Sequence, residues 1–172
     1  MLVATGRSSS PELMRGSAEL TQFTEALQAF FIELAQLIVR DGEGATKFVS
    51  VIVEEAQTQQ EALDVAYTVA HSPLVKTALF ACDPNWGRIL AAVGRAGLEN
   101  LNLESIKLHL DDVCIVSDGG RDAGYTEEKG QAVMDREEIT IRIQLARGDV
   151  SETIWTTDLS HEYVTINAEY RT

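Results

Sequence analysis

Ile38-Val39-Arg40-Asp41-Gly42-Glu43-Gly44-Ala45-Thr46-Lys47-Phe48-Val49-Ser50-Val51-Ile52-Val53-Glu54 is the stretch that decides the fold, because the hydrophobic period changes inside it. Ahead of it, Leu20, Phe23, Leu27, Phe30, Phe31, Leu34, Leu37 and Ile38 recur every three or four residues, which draws one broad apolar stripe along a long helix opened by Ser17. Behind it, Phe48, Val49, Val51, Ile52 and Val53 form a dense β-branched run, the pattern of a buried strand. Between the two, Glu43 stands with a glycine on each side. Glycine permits a sharp turn and the close approach of another molecule, so Glu43 can be presented into a cleft at the helix-to-strand corner. The same residues also read as an ordinary helix end, with Gly42 past the last turn, Arg40 at the negative end of the helix dipole and Glu43 in solvent.

The whole chain narrows the choice of function. Its 172 residues suffice for one domain or two small lobes. With 27 acidic against 14 basic side chains the formal charge is −13, and no two basic residues adjoin, which argues against nucleic acid and against an anionic membrane surface. Small-molecule or protein partners remain. Cys82 and Cys114 form no framework of bridges, and with His71, His109 and His161 they show no paired ligand spacing, so neither a disulfide scaffold nor a metal site is expected. Cys82 precedes a helix start, where a thiol pKa can fall, but it equally suits a small buried hydrophobe. The first residues lack the regions of a secretory signal, and a cytoplasmic location is expected. Met1 to Gly6 looks like the end of an apolar strand.

Further along, Thr58-Gln59-Gln60-Glu61 is a capping box, and Ser72-Pro73 and Asp83-Pro84 each pair a cap with proline at the first helical position. Three helices are therefore expected between Thr58 and Gly97. From Ser105 the period becomes two. Strands are expected through Ile106 to Leu110, Val113 to Val116, Ile139 to Leu145 and Ser151 to Thr157, with a short helix over Thr126 to Met134. The glycine-rich segment Asp118 to Gly124 lacks the setting of a phosphate loop and reads as a turn. Alternation over Tyr163 to Tyr170 predicts a last strand with Tyr163, Thr165, Asn167 and Glu169 on one face. The fold class is α+β: a layered α/β arrangement, helices packed on a mixed or antiparallel sheet, with a smaller C-terminal lobe. Residues 1–45 would be part of a larger α/β domain, and 46–172 an α+β lobe whose last strand can return to the site.

Three ordered strings carry a family resemblance: Ile38 through Phe48, Ser72-Pro73-Leu74-Val75-Lys76-Thr77-Ala78, and Asp83-Pro84-Asn85-Trp86-Gly87-Arg88. Trp155, Asp158-Leu159-Ser160 and Tyr163-Val164-Thr165-Ile166-Asn167-Ala168-Glu169-Tyr170-Arg171-Thr172 extend it to the C-terminus. Over nearly its whole length the chain resembles the ornithine acetyltransferase family, also called bifunctional glutamate N-acetyltransferase, of arginine biosynthesis. The resemblance implies a precursor that cuts itself into an α and a β chain, and an acetyl group moved from N-acetylornithine to glutamate through an acetyl-threonine intermediate. Some members also use acetyl-CoA as donor, and no resident cofactor is implied. By the same resemblance Glu43, Asn167 and Thr172 match the family's substrate-binding positions, with Glu43 facing the substrate amine.

The family's nucleophilic threonine, oxyanion-hole residues and binding lysine lie in its α chain or early β chain, and nothing in this sequence matches them. Thr5 is neither terminal nor in the matching motif. The resemblance therefore implies the C-terminal part of a β chain, without a catalytic residue of its own, partnered by an α chain and by the missing part of the β chain in a hetero-oligomer. A non-catalytic truncated relative that serves as a binding or interaction module is the other reading.

Overall fold

A computed structural model of the chain describes residues 5–169. It divides into two compact units, Met1–Leu37 and Ile38–Thr172. Of the strand end expected at the start, residues 1–4 lie outside the described residues, and Thr5 and Gly6 are irregular.

Helix α1 (Ala18–Arg40) begins where the spacing places it, with the Ser17 hydroxyl accepting from the Leu20 N–H at 3.2 Å. None of its residues is buried, and Phe23, Phe30 and Leu37 are 50%, 59% and 55% exposed. The stripe expected to face a core thus meets solvent within the first unit, since a lone helix offers itself nothing to pack against.

The second unit is built on a six-stranded sheet in the order β4-β3-β2-β5-β1-β6, formed by β1 (Phe48–Ala56), β2 (Lys107–Leu110), β3 (Val113–Ser117), β4 (Gly120–Arg121), β5 (Glu138–Gln144) and β6 (Val150–Thr157). β1 and β5 run parallel; the other pairings are antiparallel, so the sheet is mixed, as the sequence predicts. Register fixes the core. Leu110, Ile141, Val51 and Ile154 lie side by side across four strands, and Leu108, Ile143 and Val53 form the next row. All seven are 8% exposed or less. Burying each aliphatic side chain contributes roughly 1.5–3 kcal/mol before entropy is counted.

Helices α2 (Gln59–Ala70), α3 (Pro73–Phe80) and α4 (Trp86–Gly94) come after β1, and α2 presents Ala62, Val65, Ala66, Val69 and Ala70 to the core beside β1 and β6. Thr58 and Ser72 cap α2 and α3 as the sequence predicts. At α4 the cap is Asn85 rather than Asp83: its side chain accepts from the Arg88 N–H, and Pro84 falls one residue ahead of the cap. Helix α5 (Glu127–Met134) forms under its Thr126 cap. Its C-terminal end is closed by Lys47, a buried ammonium that donates to the carbonyls of Met134 at 2.7 Å and Arg136 at 3.0 Å.

The expected last strand is corrected. His161–Glu169 is a helix, α6, and Tyr170 lies outside the described residues. Its cap is Ser160, buried, whose hydroxyl accepts from the Tyr163 N–H at 3.2 Å and donates to the Gly44 carbonyl at 2.6 Å. Gly44, at φ +66°, is the left-handed residue of the corner, and a Cβ there would stand 2.7 Å from Tyr163 N and 2.9 Å from Ser160 Oγ. Only glycine supplies both the conformation and the room.

Two substitutions check this packing by denaturant unfolding. Ile141→Ala, in a strand flanked on both sides, is expected to cost about 2–5 kcal/mol with an unchanged denaturant slope. Gly44→Ala is expected to cost about 1–3 kcal/mol although it adds an apolar group.

Candidate functional site

The Gly42-Glu43-Gly44 corner and α6 are neighbours because of the sheet. β1 pairs with β6 in antiparallel register, Phe48 opposite Thr157, so the chain entering β1 and the chain leaving β6 share one end of the sheet. Asp158 ties them together. Its carboxylate, 4% exposed, accepts from the N–H groups of Thr46 and Lys47 at 2.8 and 3.1 Å, and from the Thr46 hydroxyl at 2.6 Å. Two residues on, Ser160 holds Gly44 and starts α6.

Two turns along α6, Asn167 Nδ2 donates to Glu43 Oε2 at 3.1 Å and to the Tyr163 carbonyl at 2.9 Å. Residues 124 positions apart in sequence are thus in contact. Both side chains are exposed. Among the described residues, Glu43 Oε1 and Asn167 Oδ1 have no hydrogen-bond partner, leaving two acceptor oxygens on adjacent side chains. Acceptors of that kind suit a protonated amine. Thr172, the third residue singled out from the sequence, lies outside the described residues.

The neighbouring cation is engaged elsewhere. Arg40 makes a two-pronged pair with Glu138, at 2.7 and 3.1 Å, and its guanidinium carbon lies 3.7 Å from the centre of the Phe48 ring. The hydrogen bond from Arg40 holds the Glu138 carboxyl below its usual pKa. Glu43 is in no ion pair among the described residues, so its charge is open to a ligand.

A second cation lies below. Lys76, on α3, donates to the carbonyl of Thr157 and to the hydroxyls of Thr156 at 3.0 Å and Thr157 at 3.3 Å. Burial pushes its pKa down, and the Asp158 carboxylate pushes it part of the way back. Neither Asp158 nor Lys76 stands out from the sequence as a site residue, because each belongs to a motif read there only for its family likeness. Their signal was a lone acid and a lone base in apolar or capping surroundings.

The other polar candidates stay apart. Cys82 packs against the core at a half-buried position. No group of three His, Cys, Asp or Glu side chains among the described residues is arranged to hold a metal ion. Among the described residues, no helix is long and apolar enough to cross a membrane.

Comparison with known proteins gives the family and the fold. The profile of the ArgJ family matches residues 1–172. The arginine biosynthesis bifunctional protein ArgJ of Pseudomonas fluorescens is 65% identical over all of this chain, which covers 43% of that protein. That of Methylococcus capsulatus is 56% identical over the whole chain, which covers 42% of it. The chain thus spans less than half the length of these curated relatives, and it corresponds to their C-terminal part. A crystal structure of the arginine biosynthesis bifunctional protein ArgJ from Bacillus halodurans is 36% identical and superposes with a TM-score of 0.89, over 97% of this chain and 78% of that one. A profile matched from end to end, identities above one half and a shared layered α/β fold mean that this chain belongs to the ArgJ family.

Proposed function

We propose that this chain is the substrate-gripping part of an acetyltransferase of arginine biosynthesis, completed by polypeptide that its relatives carry ahead of the matched region. The observation that carries the proposal is the contact between Asn167 and Glu43, which puts two free acceptor oxygens on one rim. Glu43 meets the ammonium of ornithine or of its N-acetyl form, Asn167 fixes the direction of approach, and Thr172 adds a hydroxyl from the chain end. The lobe division at 45/46 belongs to the same proposal, with residues 1–45 completing a larger catalytic domain.

The chemistry itself comes from the rest of the protein. A threonine hydroxyl there attacks the acetyl carbonyl of N-acetylornithine. The C–N bond breaks, and the ornithine amine leaves with the proton that the hydroxyl gave up. The glutamate amine then attacks the threonine ester and forms the new C–N bond, the ester C–O bond breaks, and the proton lost by the amine restores the hydroxyl. Acetyl-CoA serves as an alternative donor in the same scheme, and no bound cofactor is needed. The bare apolar face of α1 supports a partnership with the α chain and the earlier β chain in a hetero-oligomer, because exposed Phe and Leu at this density call for a covering surface. A cytoplasmic location fits the pathway.

In the full-length protein, Glu43→Gln keeps the shape and removes the charge. It is expected to raise the KM for N-acetylornithine roughly tenfold or more, the scale of one charged hydrogen bond. This chain by itself is expected to give no acetyl transfer above background. Unaltered KM and kcat in the Gln variant would remove Glu43 from the site, and turnover by this chain alone would show that the nucleophile lies within it.

A further inference from the structure

The Glu43 and Asn167 side chains are exposed and joined by one hydrogen bond. A pair of that kind in water does not hold its own geometry, since its net attraction is small against the rotamer freedom of both side chains. Their alignment must come from beneath. Beneath them are a buried carboxylate that accepts three hydrogen bonds from Thr46 and Lys47, a buried serine that joins Gly44 to the start of α6, and an ammonium that binds the carbonyl of Thr157, the residue before Asp158. The Lys76 carbonyl also accepts from the Leu159 N–H at 3.2 Å, so both ends of that residue grip the junction between β6 and α6. Burying a carboxylate and half-burying an ammonium is costly, and here neither charge is used in a direct ion pair among the described residues. Both are used to fix backbone.

We propose that Asp158 and Lys76 are positioning residues of the site: Asp158 clamps the corner that bears Glu43 to the segment that leads into α6, and Lys76 holds that segment from α3. The assignment rests on the reading that Glu43 and Asn167 bind the substrate amine. It goes beyond that reading in placing the control of their spacing on two residues that touch no ligand.

Two measurements test it, one of which needs no activity. In hydrogen exchange on the full-length protein, Asp158→Asn is expected to speed the amides of 43–48 and 160–167 by roughly tenfold or more, the scale of one lost charged hydrogen bond, while β5 stays protected. In the full-length protein the same variant is expected to raise KM roughly tenfold and to leave kcat within about threefold, because it acts on binding geometry. Its effect should be far less than additive with that of Asn167→Ala. Should Asp158→Asn fail to fold, Thr46→Val removes one donor without changing shape and is expected to move exchange and KM in the same direction, with Thr46→Ser restoring both.

Lys76→Met is expected to speed exchange in 157–167 and to raise KM. Exchange that rises equally in β5, or a KM unmoved in a folded variant of Asp158 or Thr46, overturns the proposal. A Glu43→Gln protein with unchanged KM instead overturns the ligand reading, and the exchange pattern then decides the clamp on its own.

Discussion

A single carboxylate organises one end of the molecule. Asp158 reaches across 112 positions of sequence to accept the N–H and hydroxyl of Thr46 and the N–H of Lys47 at the mouth of β1. Hydrogen bonds to a charged acceptor contribute about 1.5–3 kcal/mol each, against the cost of burying the charge, so the arrangement holds only while all three are made. The constraint passes along the chain in both directions. Towards the N-terminus it sets Gly44 and Glu43; towards the C-terminus it sets Ser160 and the first turn of α6. At the entry to β1, the Lys47 ammonium closes the end of α5, so the same junction also places the helix that precedes β5.

The division of labour at this corner is between a buried floor and an exposed rim. The floor has Asp158, Ser160 and Lys47, each 8% exposed or less and each with partners. The rim has Glu43 and Asn167, which among the described residues carry unpaired acceptor atoms. Arg40 stands near in sequence, yet its pairing with Glu138 and its stacking on Phe48 keep its charge away from Glu43. Had Arg40 turned to Glu43 instead, the carboxylate would have been neutralised before any ligand arrived.

The caps and the alternating strands were legible because their causes are local. Thr58 and Ser72 cap within three residues, and Ile139, Ile141 and Ile143 alternate because one face of β5 meets the core. Local rules failed where no core contact reinforces the pattern. The alternation over 163–168 reads as a strand from Val164, Thr165 and Ile166, yet these residues are exposed or half-buried. Their period reports no packing, and the decisive signal was Ser160, a cap for the helix. The shift of the α4 cap from Asp83 to Asn85 is a smaller case of the same kind, two competing caps around one proline. The pairing of β1 with β5 and β6 joins segments far apart in sequence and leaves no local trace. Glu43 was findable from its flanking glycines, Asn167 from an amide with donors and acceptors in the regular C-terminal segment together with the family likeness, and Asp158 by neither route, because a buried acid that serves backbone looks like any turn aspartate in sequence.

On the proposed reading, the exposure of the rim explains why such a chain needs the rest of its protein. Two unit charges 4 Å apart attract by about 1 kcal/mol in bulk water and by about 4 kcal/mol at the lower effective dielectric of a covered protein surface. Glu43 in solvent therefore has little hold on an ammonium, and screening by salt weakens it further. Covering polypeptide changes the value of that charge without moving it. The floor must then already be in place, since a carboxylate that had to find its position after desolvation would face both costs at once. Geometry comes from this chain, held by Asp158 and Lys76, and the low dielectric comes from the polypeptide that covers it. On that reading the apolar stripe that α1 leaves open and the polar rim ask for different cover, one for an apolar surface and the other for a wall that excludes water.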